Sequence, residues 1–130
     1  MVKAVIFDCF GVLENTLIPN RELLGYIEKE LKPKYKLGIL SNVMAGFIYL
    51  ILGKDDIKLF DDIVLSYKTG FAKPNPLIYQ LSLKNLGVKP AEAVFVDDQE
   101  AFCEGARAVG MQAIRYEDFD QFKKDLQELL

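Results

Sequence analysis

Histidine is absent from the 130 residues, and cysteine occurs only twice. Without an imidazole, every mechanism built on a histidine base is excluded, together with most transition-metal sites. Cys9 and Cys103 are too few and too isolated for a disulfide framework or a zinc site, so a reducing cytoplasm is the expected location. No apolar run approaches the ~20 residues of a membrane span. The N-terminus offers only Lys3 before a short apolar stretch, with no small-residue cleavage site, so neither secretion nor membrane insertion is expected. Excess cations are missing too: sixteen Lys plus Arg stand against nineteen Asp plus Glu, a formal charge of −3. That sign excludes nucleic acid as an expected partner.

What is present is an ordinary soluble composition, 51% apolar and 27% charged. A chain of this length buries roughly two thirds of its unfolded surface and needs no staple, so residues 1–130 are expected to form one domain. Five short apolar runs alternate with segments of helical period, the pattern of an α/β fold with a parallel sheet. The runs are Ala4 to Phe7, Leu37 to Leu40, Ile63 to Leu65, Ala93 to Val96 and Met111 to Ile114. Helices are expected after Asn20, from Pro74 to Leu86 with Gly87 as the stop, around Phe102 to Val109 before Gly110, and through Phe119, Phe122, Leu126 and Leu129 at the end. The Lys29 to Lys36 stretch, interrupted by Glu30, reads as a solvated helix end.

Four of the five runs end in residues able to do chemistry: Asp8, Ser41 with Asn42, Ser66, and Asp97 with Asp98. Ligands of open α/β sheets bind outside the carboxyl ends of the strands. A strand-end Asp8 followed by the turn-forming Gly11 could serve as a nucleophile. Attack on a phosphate brings two anions together, so a hard divalent cation at Asp97 and Asp98 and a positive charge from Lys73 would be required. Ser41 and Asn42 offer a hydroxyl and backbone N–H groups to an anion. Each of these residues alone is more often a cap or a turn; their ordered combination carries the inference.

That order is Val5-Ile6-Phe7-Asp8-Cys9-Phe10-Gly11-Val12-Leu13, Leu40-Ser41-Asn42, Gly70-Phe71-Ala72-Lys73-Pro74-Asn75-Pro76 and Val94-Phe95-Val96-Asp97-Asp98. Taken with Phe60-Asp61-Asp62-Ile63 and Ser66, and with Gly105-Ala106 and Gly110-Met111, it resembles the haloacid dehalogenase-like hydrolase superfamily over nearly the whole chain. The resemblance implies a three-layer Rossmann-like domain with the strand beginning at Val2 in the middle of a five-stranded parallel sheet. It implies Asp8 as nucleophile, Ser41 and Lys73 as groups holding the phosphoryl group, and Asp98 as principal magnesium ligand beside Asp97 and Asp8. The main-chain carbonyl of Phe10 completes the implied Mg2+ set, and magnesium suits such oxygen donors.

The departures bear on activity. Phosphatases of this superfamily carry a second Asp two residues after the nucleophile, where this chain has Phe10; a missing general acid/base typically removes about 10² to 10⁴ in rate. Four residues after Asp98, a further polar position is Phe102, which is expected to pack in the core. Only the twenty-three residues Glu14 to Lys36 separate the first motif from the second strand run, too few for an inserted cap. An aromatic at position 10 also resembles the true haloacid dehalogenases, yet their substrate-binding Arg comes from a cap, and nothing aims Arg21 at Asp8. The leading expectation is a capless magnesium-dependent phosphatase of reduced activity, open to a phosphorylated small molecule or a larger substrate. The alternative is an impaired binding or oligomerisation module, with the dehalogenase reading third. The segment Val43 to Leu52 is apolar on all sides, which suggests either a buried helix or a homo-oligomer contact.

Overall fold

The structure, a computed structural model, describes residues 1–44 and 46–130; position 45, within the apolar segment, lies outside the described residues. In chain order the strands are β1 (Ala4–Phe7), β2 (Glu14–Asn15), β3 (Ile18–Pro19), β4 (Lys36–Ser41), β5 (Asp62–Leu65), β6 (Ala93–Asp97) and β7 (Gln112–Arg115). The helices are α1 (Arg21–Tyr26), continued by a π-helical turn (Ile27–Leu31), α2 (Ile48–Ile51), α3 (Lys54–Ile57), α4 (Ser66–Thr69), α5 (Pro76–Leu86), α6 (Glu100–Ala108) and α7 (Phe119–Leu129). Five strands form a parallel sheet in the order β5-β4-β1-β6-β7, and β2 pairs with β3 in a separate antiparallel hairpin. The expected α/β, Rossmann-like sheet is therefore present, with its first strand central.

The alternation of side chains along buried strands assembles three layers. Val5 and Phe7 of β1 face a core shared with Leu23 and Leu24 of α1 and Phe122 and Leu126 of α7. Ala4 and Ile6, pointing the other way, meet Ile78, Tyr79 and Leu83 of α5 and Ala106 of α6. Each fully buried Val, Leu, Ile or Phe side chain contributes about 1.5–3 kcal/mol, so β1 and β6, buried at every position, are the strands least tolerant of change. Register then sets the site. Phe7 lies level with Ile39 of β4 and Val96 of β6, so Asp8, Ser41 and Asp97 leave the sheet together at its carboxyl edge.

The local signals act as expected at most ends. Asn20 caps α1 by accepting from the Leu23 N–H, and Gly87 ends α5 in a left-handed conformation. The α5 helix starts at Pro76 rather than Pro74, because the Asn75 side chain accepts from the Leu77 N–H and fixes the boundary there. The segment between β1 and β4 holds the small hairpin, α1 and its π-helical turn, and no cap domain is evident among the described residues. Among the described helices none is long and apolar enough to cross a membrane.

The segment Val43 to Leu52 does not form the single apolar helix considered from the sequence. Among its described residues only Ile48–Ile51 is helical, with Val43, Ile48 and Leu52 buried while Met44, Phe47, Tyr49 and Leu50 are exposed. Its apolar residues are thus divided between the core and solvent.

Candidate active site

At the carboxyl edge of the sheet, Asp8 follows β1, Ser41 ends β4, Asp97 ends β6 and Asp98 follows it. Lys73 comes from the loop between α4 and α5 and is buried at 4% exposure, an arrangement that requires partners for its charge. It has two: Nζ lies 3.0 Å from Asp8 Oδ1 and 2.7 Å from Asp97 Oδ2. Nζ also sits 4.9 Å from the Phe102 ring centroid and 5.4 Å from that of Phe95, so two aromatic rings share its surroundings with the carboxylates. Phe102 is half-buried against the second core, and its carbonyl accepts a 2.7 Å hydrogen bond from the Tyr79 hydroxyl. Close packing of α5 and α6 makes this arrangement: a Cβ at Gly105 would come within 2.6 Å of the Tyr79 hydroxyl oxygen and 2.8 Å of Pro74 Cβ.

The loop bearing Lys73 is tied down locally. Gly70 ends α4 at φ +79°, and the Thr69 hydroxyl accepts from the Phe71 N–H at 3.1 Å. Asn42 then accepts from the Lys73 N–H at 2.8 Å and donates to the Lys73 carbonyl at 3.1 Å. Asn42, expected beside Ser41 to offer an anion its backbone N–H, spends its side chain on the Lys73 backbone and so positions that loop.

Asp97 has both oxygens engaged, because Oδ1 accepts from the Gln99 N–H at 2.9 Å while Oδ2 receives Lys73. Two buried polar atoms in the same region have no partner among the described residues: Ser41 Oγ and Asp98 Oδ1. Such atoms cost stability unless a ligand or ion satisfies them. Asp8, Asp97 and Asp98 each offer a carboxylate oxygen, all three within 4.8 Å of one another. Hard oxygen donors, excess negative charge and an orphaned Asp98 oxygen fit a magnesium ion. Burial, with the neighbouring Asp97 and Asp98 charges and against the opposing effect of Lys73, raises the Asp8 carboxyl to about 7. Asp98 is raised as well, first by burial and then by Asp97.

Gly11 makes room for this cluster. It has φ +88°, and a Cβ there would lie 2.6 Å from Asp98 Cγ, so both its conformation and its contact demand glycine. Phe10 is half-buried and packed against the first core, and it bridges to Glu14 through the backbone. No carboxylate occupies that place. Arg21 is paired with Asp56 at 2.7 Å, away from the Asp8 cluster.

Sequence reasoning missed Glu14. Its buried carboxylate accepts from the Leu17 N–H at 2.7 Å and the Gly11 N–H at 3.2 Å, bracing the β2–β3 hairpin against the Gly11 turn. The hairpin gives little sequence signal, since its turn residues Thr16 and Leu17 adopt φ +52° and +66° without the usual Asn-Gly pair.

Comparison with known proteins places this geometry. The chain is 38% identical over 98 residues to glyceraldehyde 3-phosphate phosphatase of Methanopyrus kandleri, covering 70% of this chain and 42% of that protein. It spans less than half the length of the first curated relatives it matches. An uncharacterized protein from Corynebacterium glutamicum shares the fold at a TM-score of 0.86 and 24% identity, covering 99% of this chain and 95% of that one. An Asp12Ala mutant of a haloacid dehalogenase-family enzyme from Bacteroides thetaiotaomicron, solved with magnesium and inorganic phosphate, has a TM-score of 0.77 at 19% identity, covering 95% of this chain and 99% of that one. The family model for haloacid dehalogenase-like hydrolases matches residues 5–116, from the strand that delivers Asp8 to the residue after the last strand, and the chain belongs to that family.

Proposed function

We propose that this chain is a magnesium-dependent phosphohydrolase in which Asp8 attacks the phosphorus of a phosphate monoester. The observation that carries this reading is the buried Asp8–Lys73–Asp97 arrangement with two unsatisfied polar atoms, Ser41 Oγ and Asp98 Oδ1, beside it. Its support from relatives is the phosphatase from Methanopyrus kandleri and the magnesium and phosphate held by the Bacteroides thetaiotaomicron enzyme.

An Asp8 oxygen forms a bond to phosphorus as the bond from phosphorus to the ester oxygen breaks, giving an aspartyl-phosphate and an alcohol. Water then attacks that phosphorus, releases inorganic phosphate and restores the carboxylate. Lys73 holds Asp8 in place and offsets negative charge in a site rich in carboxylates. Ser41 Oγ, buried and unpartnered, is the free donor for a phosphoryl oxygen. Asp8, Asp98, Asp97 and the Phe10 carbonyl would hold Mg2+, whose charge would offset the repulsion between Asp8 and the phosphate.

Leaving-group protonation falls to solvent, since Phe10 has no proton to give. Turnover is therefore slower by about 10² or more than with a placed carboxylic acid. That same residue favours the second reading, a module that binds phosphate and magnesium without turnover.

A phosphatase assay over phosphorylated metabolites, with and without magnesium, on the wild type beside Asp8→Asn separates the two. Turnover that requires both magnesium and Asp8 supports the hydrolase; folded, magnesium-binding protein that stays silent supports the module.

A further inference from the structure

An ammonium has three N–H donors, and Lys73 Nζ makes two hydrogen bonds among the described residues, to Asp8 Oδ1 at 3.0 Å and to Asp97 Oδ2 at 2.7 Å. Its side chain is 1% exposed, so little of it is open to bulk water. What else stands within reach is aromatic. Nζ lies over the Phe102 ring at 4.9 Å from the centroid and over the Phe95 ring at 5.4 Å, both inside the ~6 Å range of a cation–π contact.

Both rings are braced by Tyr79, which is fully buried. Its hydroxyl donates to the Phe102 carbonyl at 2.7 Å, and its ring meets that of Phe95 edge to face, with centroids 5.5 Å apart at 84°. Gly105, with no side chain, lets α6 close on Tyr79 and on Pro74, the residue after Lys73. The packing that fixes the rings therefore also fixes the loop that bears the ammonium.

A carboxylate in place of the Phe102 ring would pair with Lys73 and add a fourth anion to Asp8, Asp97 and Asp98. A ring attracts the ammonium through its quadrupole and leaves the positive charge intact for an incoming anion. We propose that Phe102 is a positioning residue that holds the Lys73 ammonium beside Asp8 without neutralising it, so that phosphate affinity follows the electron density of the ring; this rests on the phosphohydrolase reading above in taking phosphate as the ligand. Phe95 is farther from Nζ and fully buried in the core, so Phe102 is the ring whose chemistry can be varied alone.

Fluorine withdraws electron density from a ring and changes its size little, so mono-, di- and trifluorophenylalanine at position 102 weaken the attraction in steps. Calorimetric titration of the magnesium-loaded chain with inorganic phosphate is expected to show affinity falling in that order, by about tenfold at the trifluoro ring. Phe102→Leu is expected to fall at least as far, and Phe102→Tyr to stay within about threefold of the wild type. Urea unfolding of the metal-free chain gives a readout that needs no phosphate. Stability falls in the same order, and the order vanishes in the folded Lys73→Met variant, where no cation faces the ring. A flat affinity across the fluorinated series, no binding of phosphate by the wild type, or a stability order that survives Lys73→Met would each overturn the proposal, the last because the ring would then act by packing alone. Phenyl phosphate turnover is measured separately. Absence of turnover with the affinity order intact removes the hydrolase reading and leaves the Phe102 assignment standing; turnover with a flat affinity does the reverse.

Discussion

Asn42 grips the backbone of Lys73 in both directions, accepting from its N–H at 2.8 Å and donating to its carbonyl at 3.1 Å. Two strand-end loops from neighbouring strands are thereby locked together, and the lock sets where the ammonium can reach. Replacing Asn42 by Ala removes both bonds, a cost of about 1–3 kcal/mol. Thermal denaturation reads that cost. Turnover per folded molecule is expected to fall as well, with Asn42→Asp recovering part of it because the acceptor remains.

Asp8 is protonated in the folded, metal-free chain up to about pH 7, whereas in the unfolded chain it ionises near its ordinary value of 3.8. Folding therefore takes up a proton between those values, so the contribution of Asp8 to stability declines as pH rises through that window and levels off above it. Asp8→Asn, which cannot ionise, is expected to melt close to the wild type at pH 4 and above it at pH 8 when both are free of metal. A wild-type melting point unaffected by the substitution at pH 8 would contradict the burial argument.

On the proposed function magnesium binds the folded chain and not the unfolded one, and it is then expected to raise the melting temperature at pH 8, by about 2.7 kcal/mol of stability at one hundred times the dissociation constant. Asp98→Asn removes the carboxylate with the unsatisfied oxygen and is expected to abolish most of that shift.

Gly11→Ala acts on the same carboxylate from the other side. It places a methyl group against Asp98 and forces an L-residue to φ +88°, a conformational cost of about 1–2 kcal/mol before the overlap is counted. The expected outcome is a lower melting temperature together with a reduced magnesium shift, compared in the same calorimetric series.

Phe10→Asp places a proton donor two residues after Asp8, the proposed nucleophile. If the remaining groups are assembled as they stand, phosphatase activity rises by about 10². A folded variant with no gain, assayed beside the wild type on the same ester, would place the limiting defect elsewhere in the pocket.

Strand ends were legible in the sequence because fully buried strands must be apolar, and the first polar residue after each marks the carboxyl edge of the sheet. Asp8, Ser41 and Asp97 were found on that ground, and their convergence follows from register. The helix ends at Asn20 and Gly87 were legible for local reasons, a capping side chain and a left-handed residue. The hairpin was not, since two-residue strands give no period and its turn lacks glycine. Apolar composition alone could not divide Val43 to Leu52, because hydropathy does not distinguish residues packed in a core from residues left to solvent.

The sequence by itself determined the α/β sheet, the absence of any imidazole and the lack of a carboxylate at Phe10, all consequences of side-chain chemistry and local period. Only tertiary structure decided that the Asn42 side chain holds the Lys73 backbone, that Phe95 and Phe102 lie against the ammonium, and that Ser41 Oγ and Asp98 Oδ1 have no partner among the described residues. The contacts of Lys73 with Asn42, Phe95 and Phe102 join residues 22 to 31 positions apart, and partners at such separations are chosen by how the strands are ordered in the sheet, which no local pattern encodes.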